Sequence, residues 1–237
     1  MSAIQGARER ARVEVTAAIK DEARKQLAAE GAAKLSLRAV ARELGMVSSA
    51  LYRYFPSRDD LLTALIVDAY DAVGEAAERA HRAAAASPGA PATGLTRWVA
   101  VACAVRDWAL AHPHEYALIY GSPVPGYAAP QDTVGPAARV GMVLIGIVEE
   151  ARRDEGLALP PLPDELRPEA ERLAADVAPG LAPAVAAPLV AAWSQLFGLI
   201  SFEVFGQFNR VVEAREVFFR HAVTELARTV GLLGPRG

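Results

Sequence analysis

The sequence predicts an all-α fold in two unequal parts. Apolar residues recur three and four apart through most of the 237 residues, the spacing that lines one face of a helix. No stretch shows sustained strand-like alternation, and no internal repeat is visible. Hydrophobic residues make up 52% of the chain, with alanine and leucine prominent, as suits a helical globular protein with a substantial core.

The elements follow in order. Residues 8–30 set Val15, Ile19, Ala23 and Leu27 four apart on one helical face, and Gly31 is placed to end the helix. Ser36 can cap a second helix, LRAVARELG, whose apolar positions are Leu37, Val40, Ala41 and Leu44. Gly45 supplies the positive φ of a tight turn. A short third helix covers 48–55, and Pro56 closes it by disfavouring helical geometry at Phe55. Ser57 caps a long helix, 57–86, with Asp59 and Asp60 near the positive end of its dipole. Its apolar stripe is Leu61, Leu62, Leu65, Ile66 and Ala69, and SPGAPATG (87–94) breaks it.

Beyond the break, 95–111 reads as a helix around Trp98, Val101, Val105 and Trp108. His112-Pro113 restarts a short one, PHEYALIY, ahead of a loop rich in proline and glycine at 121–136. Residues 137–155 are helical, and a proline-rich span and a short acidic helix follow. The last helices are 189–208 and 213–232. Residues 177–202 carry no charge, but three prolines and the polar Ser194, Gln195 and Ser201 argue against a membrane span. A helix apolar all round is otherwise buried on every side, in a core or across a subunit interface. Residues 140–148 have the same character.

Charge separates the two parts. Residues 1–58 carry 11 Lys/Arg against 6 Asp/Glu, a net +5, whereas 59–237 carry 14 against 22, a net −8. A basic head on an acidic body fits a nucleic-acid-binding module joined to a part that binds no polyanion. The single cysteine, Cys103, excludes an internal disulfide and suggests a cytoplasmic setting; the charged N-terminus shows no secretory signal.

A short helix, a glycine turn and another short helix form the helix-turn-helix pattern, whose second helix docks in the DNA major groove. In the stretch SSALYRYFPSRDDLL (48–62), Leu51 and Phe55 share one side at about 100° per residue. Arg53 lies opposite, Ser49 and Ala50 beside it, and Tyr52 and Tyr54 at the edges. Small residues admit the backbone to the groove, arginine can bond bidentately to guanine, and rim tyrosines can reach phosphates. Arg38 and Arg58 extend this basic surface. The plain alternative is a solvated helix with half-packed tyrosines.

The run LSLRAVARELGMVSSALYRYFPSRDDLL resembles the DNA-binding domain of the TetR family of bacterial transcriptional regulators, over roughly residues 10–70. The matching features are the hydroxyl cap at Ser36, the turn at Gly45, the Leu51-Tyr52-x-x-Phe55 core and the start of the fourth helix at Ser57-Arg58-Asp59-Asp60-Leu61. The resemblance implies a helix-turn-helix domain at 8–56, a connecting helix at 57–86 and an effector-binding and dimerisation domain at 87–234. It implicates Ser36, Arg38, Ser48, Ser49, Ala50, Tyr52, Tyr54 and Arg58 in DNA contact, and Arg53 enters from helix geometry as much. Trp193-x-x-x-Phe197-Gly198 and Phe202-Glu203-x-Phe205-Gly206 look like the C-terminal domain of the Trp-His-Gly type, with Phe197 where histidine is expected. In such proteins two apolar helices from each of two chains form a four-helix bundle, the role expected of 140–148 and 189–202.

The expected function is a ligand-responsive transcriptional regulator: a homodimeric repressor bound to a near-palindromic duplex DNA operator and released by a small hydrophobic or aromatic effector. Trp98, Trp108, Tyr116, Tyr120, Met142, Trp193, Phe197 and Phe202 are the candidate effector contacts, with loop 121–136 as a possible lid. Catalysis is not expected. GSPVPG is no nucleophile elbow, no phosphate loop occurs, and His112 and His114 have no partner at metal-ligand spacing. No cofactor or metal is expected. The alternative is a small-molecule-binding or catalytic helical protein with a vestigial DNA-binding head.

Overall fold

The computed structural model describes residues 3–86, 93–154 and 156–233; most of the predicted break at 87–94 therefore lies outside the described residues. Ten α-helices and no strand occur among the described residues. They divide by contact into two compact units, residues 1–70 with 112–136, and 71–111 with 137–237. The sequence boundaries put 112–136 in the C-terminal domain, whereas this segment packs with the N-terminal residues.

In the first unit, α1 (Ala3–Glu30), α2 (Leu37–Glu43), α3 (Ser48–Leu51) and the start of α4 (Arg58–Ala85) enclose one core. The predicted stripe is realised: Ile19, Ala23 and Leu27 meet Leu37, Val40, Leu51, Phe55, Leu61 and Leu65, all buried. Ser36 caps α2 by accepting from the Ala39 N–H at 3.4 Å, and Gly45 turns the chain with φ 64°. Ser57 caps α4, accepting from the Asp60 N–H at 3.1 Å and donating to the Asp60 carboxylate at 2.7 Å. Below these helices lie α6 (Pro113–Tyr120) and the proline-rich loop, where Leu118, Ile119, Val124 and Tyr127 pack on the same core. The hydroxyls of Tyr127 and Thr63 stand 2.9 Å apart and anchor the loop.

The second unit holds the rest of α4, then α5 (Gly94–Ala111), α7 (Val134–Asp154), α8 (Arg167–Val177), α9 (Pro183–Val204) and α10 (Arg215–Val230). Its core gathers Trp98, Val101 and Val105 of α5, Leu144, Ile147 and Val148 of α7, Leu196 and Ile200 of α9, and Phe219, Val223 and Leu226 of α10. Within it, the Arg106 guanidinium donates to both Glu203 oxygens, at 2.7 and 2.6 Å, and lies 5.3 Å from the Phe219 ring centre. This pairing, with both side chains nearly out of solvent, holds the arginine even further above its usual pKa. Arg139 of α7 clamps two carboxylates of α4, Asp71 at 2.7 Å and Glu78 at 2.9 Å. Gly74 makes room for it, because a Cβ there would come within 2.7 Å of the arginine.

Two element expectations need correction. α9 begins at Pro183, not 189: Pro183 suits the first helical position, and Pro188 removes only a single backbone bond near the helix start. The helix at 140–148 is not buried on every side: Val140, Leu144, Ile145, Ile147 and Val148 are buried within their own unit, whereas Met142 is 56% exposed.

Candidate DNA-binding surface and effector cavity

α3 is α-helical only to Leu51, after which the chain tightens. The Arg53 and Tyr54 N–H groups donate to Ala50 and Leu51 carbonyls at 3.2 and 2.8 Å, three residues back. The Phe55 N–H returns to the Leu51 carbonyl at 3.1 Å, so 48–55 remains one helical element with a 3₁₀ end. Leu51 and Phe55 are buried, whereas Ser48, Ser49, Tyr52 and Arg53 are exposed and Ala50 and Tyr54 half-buried. Tyr52 is 41% exposed, unusual for an aromatic residue on a short, well-anchored helix.

The basic side chains of this unit sort into two kinds. Lys20 and Arg24 bond Asp68 at 2.8 and 2.7 Å, Arg24 also reaches Glu115 at 3.3 Å, and Lys25 pairs with Glu22 at 2.9 Å. Arg38 and Arg53 are exposed and have no ion pair or side-chain hydrogen bond among the described residues. These two are the arginines that the helix-turn-helix geometry points outward.

Two predicted contacts are placed differently. Ser36 is half-buried, with its hydroxyl accepting the α2 cap bond. The half-buried Arg58 turns toward its own unit: its guanidinium donates to the carbonyls of Ala32 at 2.9 Å and Leu35 at 3.2 Å, tying the start of α4 to the turn that follows α1. These bonds use Nε and Nη2, while Nη1 lies 3.3 Å from the Asp59 carboxylate, so Arg58 serves here as a tie within the unit.

The second unit contains an apolar cavity of about 330 Å³ between α7, α8 and α9, lined by Met142, Ile145, Leu173, Val177, Leu189 and Trp193 among others. No charged side chain lines it. Of the eight expected effector contacts only Met142 and Trp193 reach it. Phe197 lies behind Trp193, ring centres 5.9 Å apart, and is buried. Trp98 and Trp108 are core of α5, and Phe202, 53% exposed, packs edge-on against Phe208. Tyr116 and Tyr120 belong to the first unit, where they stack with each other at 5.1 Å, and Tyr120 meets Tyr70 edge-on at 5.9 Å. Burial pushes the Tyr120 phenol far above its usual range. Loop 121–136 lies with the first unit and none of its residues lines the cavity, so it is not the lid expected. Leu173 and Val177, one helical turn apart on acidic α8, were missed; their spacing, together with Ala170 and Ala174, was the available signal.

The surface of α9 differs from that of a core helix. Only 39% of its most apolar 18-residue stretch is buried, and by length and composition alone it could cross a membrane. Val190, Trp193, Phe202 and Phe205 remain exposed on or just beyond it, with Val217 and Phe218 of α10. Among the described residues no group of three or more His, Cys, Asp or Glu is arranged to hold a metal.

Residues 19–65 match the family described as bacterial regulatory proteins, tetR family, and residues 98–226 match the Tetracyclin repressor-like C-terminal domain. The chain is 41% identical over 207 residues to the HTH-type transcriptional regulator Rv1816 of Mycobacterium tuberculosis (strain ATCC 25618 / H37Rv), covering 86% of each. The same figures hold for the HTH-type transcriptional regulator Mb1846 of Mycobacterium bovis. Among solved structures, that of regulatory protein SCO4313 is 36% identical with a TM-score of 0.72, covering 92% of this chain and 97% of that one. A tetR-family regulatory protein from Rhodococcus RHA1 shares the fold, with a TM-score of 0.61 at 16% identity and coverage of 92% and 98%.

Proposed function

The chain belongs to the TetR family of bacterial transcriptional regulators, and from that premise we propose that it is a homodimeric, cytoplasmic repressor that leaves its operator when a neutral apolar molecule binds the body. It is a regulator and not an enzyme. The observation that carries the DNA reading is the pair of exposed, unpartnered arginines, Arg38 and Arg53, beside Ser48, Ser49 and Tyr52. In this reading Arg53 and Arg38 approach base edges, Ala50 and the serines allow close approach, Tyr52 and Tyr54 hold phosphates, and Ser36 and Arg58 keep α2 and α4 in place.

Dimerisation rests on the exposed apolar face of α9 and α10, which needs a cover in water. A second copy, laying its own α9 and α10 against the first, would bury that face in a four-helix bundle. In this reading α10 takes the part expected of 140–148, most of whose apolar residues, Met142 excepted, are buried within their own unit. The effector reading rests on the cavity: its walls offer hydrocarbon and one indole, so a neutral, largely apolar ligand is the match and an anion is not. Release requires that the ligand prefer the conformation whose heads do not fit the operator, since equal affinity for both shifts nothing.

A mobility shift on the intergenic DNA beside the protein's own gene tests the reading. A specific shift that apolar compounds reverse supports it; DNA binding that no cavity ligand affects would leave a regulator without a sensor. Absence of all specific binding would favour the vestigial-head alternative.

A further inference from the structure

We propose that the N-terminal turns of α1 form a second DNA-backbone grip, in which Arg8 and Arg12 hold phosphates flanking the site read by α3. The inference rests on the DNA-binding reading above. α1 is 28 residues long, yet among its described side chains the first to be fully buried is Ile19, and residues 7–14 are exposed. A helix end without packing has little to hold it, and this one is not covered by the unit's core.

The sequence of that end is not arbitrary. At about 100° per residue, Arg8, Arg12, Val15 and Ile19 lie along one stripe, while Glu9 points about 90° away from it on one side and Glu14 about 130° away on the other. The stripe is apolar where it meets the core and becomes guanidinium where it passes beyond. Arg8 and Arg12 are like charges four apart, a spacing that weakens an isolated helix unless an anion lies across it. Neither guanidinium has an ion pair among the described residues, in contrast to Lys20 and Arg24 farther along the same helix. The Arg12 guanidinium carbon lies 5.9 Å from the centre of the Tyr54 ring, and Tyr54 stands on the helical element that carries Arg53. The basic stripe therefore begins beside the DNA-reading helix. Arg8 lies about 6 Å farther along the axis, a distance of roughly two base pairs. Arginines placed in this way neutralise phosphate without reading sequence, so their ligand is the duplex backbone.

The test uses the full-length protein and a duplex that wild type selects from a random pool, in two lengths: one with long flanks, one trimmed to the outer edges of the half-sites. Arg8→Ala/Arg12→Ala should bind the long duplex more weakly, with a log–log salt slope shallower by about 0.9 for each phosphate no longer neutralised, near 2 per protomer. On the trimmed duplex it should match wild type. Arg8→Lys/Arg12→Lys, which keeps the charge, should restore the slope. Unchanged binding to the long duplex, or equal weakening on both lengths, would overturn the proposal while leaving α3 as the reader. Failure of wild type to select any duplex would instead overturn the DNA-binding reading, and this grip with it.

Discussion

The two compact units leave opposite kinds of side chain uncovered. In the first, apolar residues are gathered inside and most cations are matched to carboxylates, but Arg38, Arg53 and the Tyr52 ring face water. In the second, the buried Arg106 is matched to Glu203 and the part-exposed Arg139 to Asp71 and Glu78, while Trp193, Phe202, Phe205, Val217 and Phe218 are left out. A surface short of anions calls for a polyanion, and a surface short of hydrocarbon calls for another apolar surface. Uncovered groups, more than buried ones, show what each unit is for.

Disrupting the matched groups should produce the largest effects, and in stability. Glu203→Ala strands the Arg106 guanidinium out of water and should cost about 3–5 kcal/mol in urea unfolding. Trp98→Ala should cost a similar ~3–5 kcal/mol by opening the core. Arg53→Ala, on the exposed face, should stay within about 0.5 kcal/mol of wild type in the same assay.

Disrupting the uncovered groups should change association instead. Phe202→Asp should convert dimer to monomer in sedimentation at micromolar protein and remove operator affinity with it; a variant that still sediments as a dimer would place the interface elsewhere. Arg53→Ala should cost about 1–3 kcal/mol on the operator and relax preference at one base position, read by competition with mismatched duplexes. Trp193→Ala should alter effector response while leaving operator affinity without effector within about tenfold.

The smallest effect lies at a matched group near the surface. The bond from Arg139 holds the Glu78 carboxyl below its usual range. A depressed carboxylate stabilises the fold above its unfolded pKa and loses that contribution as pH falls through the lower folded value. Arg139→Gln should therefore be less stable than wild type at neutral pH, and the gap should narrow below about pH 4, in thermal melts across that range.

Much of the first unit was legible because its signals are local. Ser36, Gly45, Pro56 and Ser57 mark helix ends within a few residues of where they act, and the Ile19-Ala23-Leu27 stripe needs only the helical period. The place of 112–136 was not legible, since it depends on Tyr127 reaching Thr63, 64 residues away in sequence. The inward turn of Arg58 was hidden likewise, by carbonyls 23 and 26 residues earlier. In the body, composition could not separate α7 from α9. Both are rich in alanine and valine, and only the packing shows which of their large apolar side chains are buried and which, Met142 of α7 and Trp193 and Phe202 of α9 among them, stay exposed. Nor could it rank the aromatics: Trp98 and Trp193 both stand in apolar helices, yet one is core and the other borders a cavity.

The central claim is that uncovered arginines on a paired protein read DNA, and selection of duplexes from a random pool tests it most directly. Wild-type protein should enrich a near-palindrome whose half-sites lie about 34–36 Å apart, one turn of the duplex, and Arg38→Ala/Arg53→Ala should enrich none. Enrichment of the same sequence by that double variant, or of no sequence by wild type, would contradict the account.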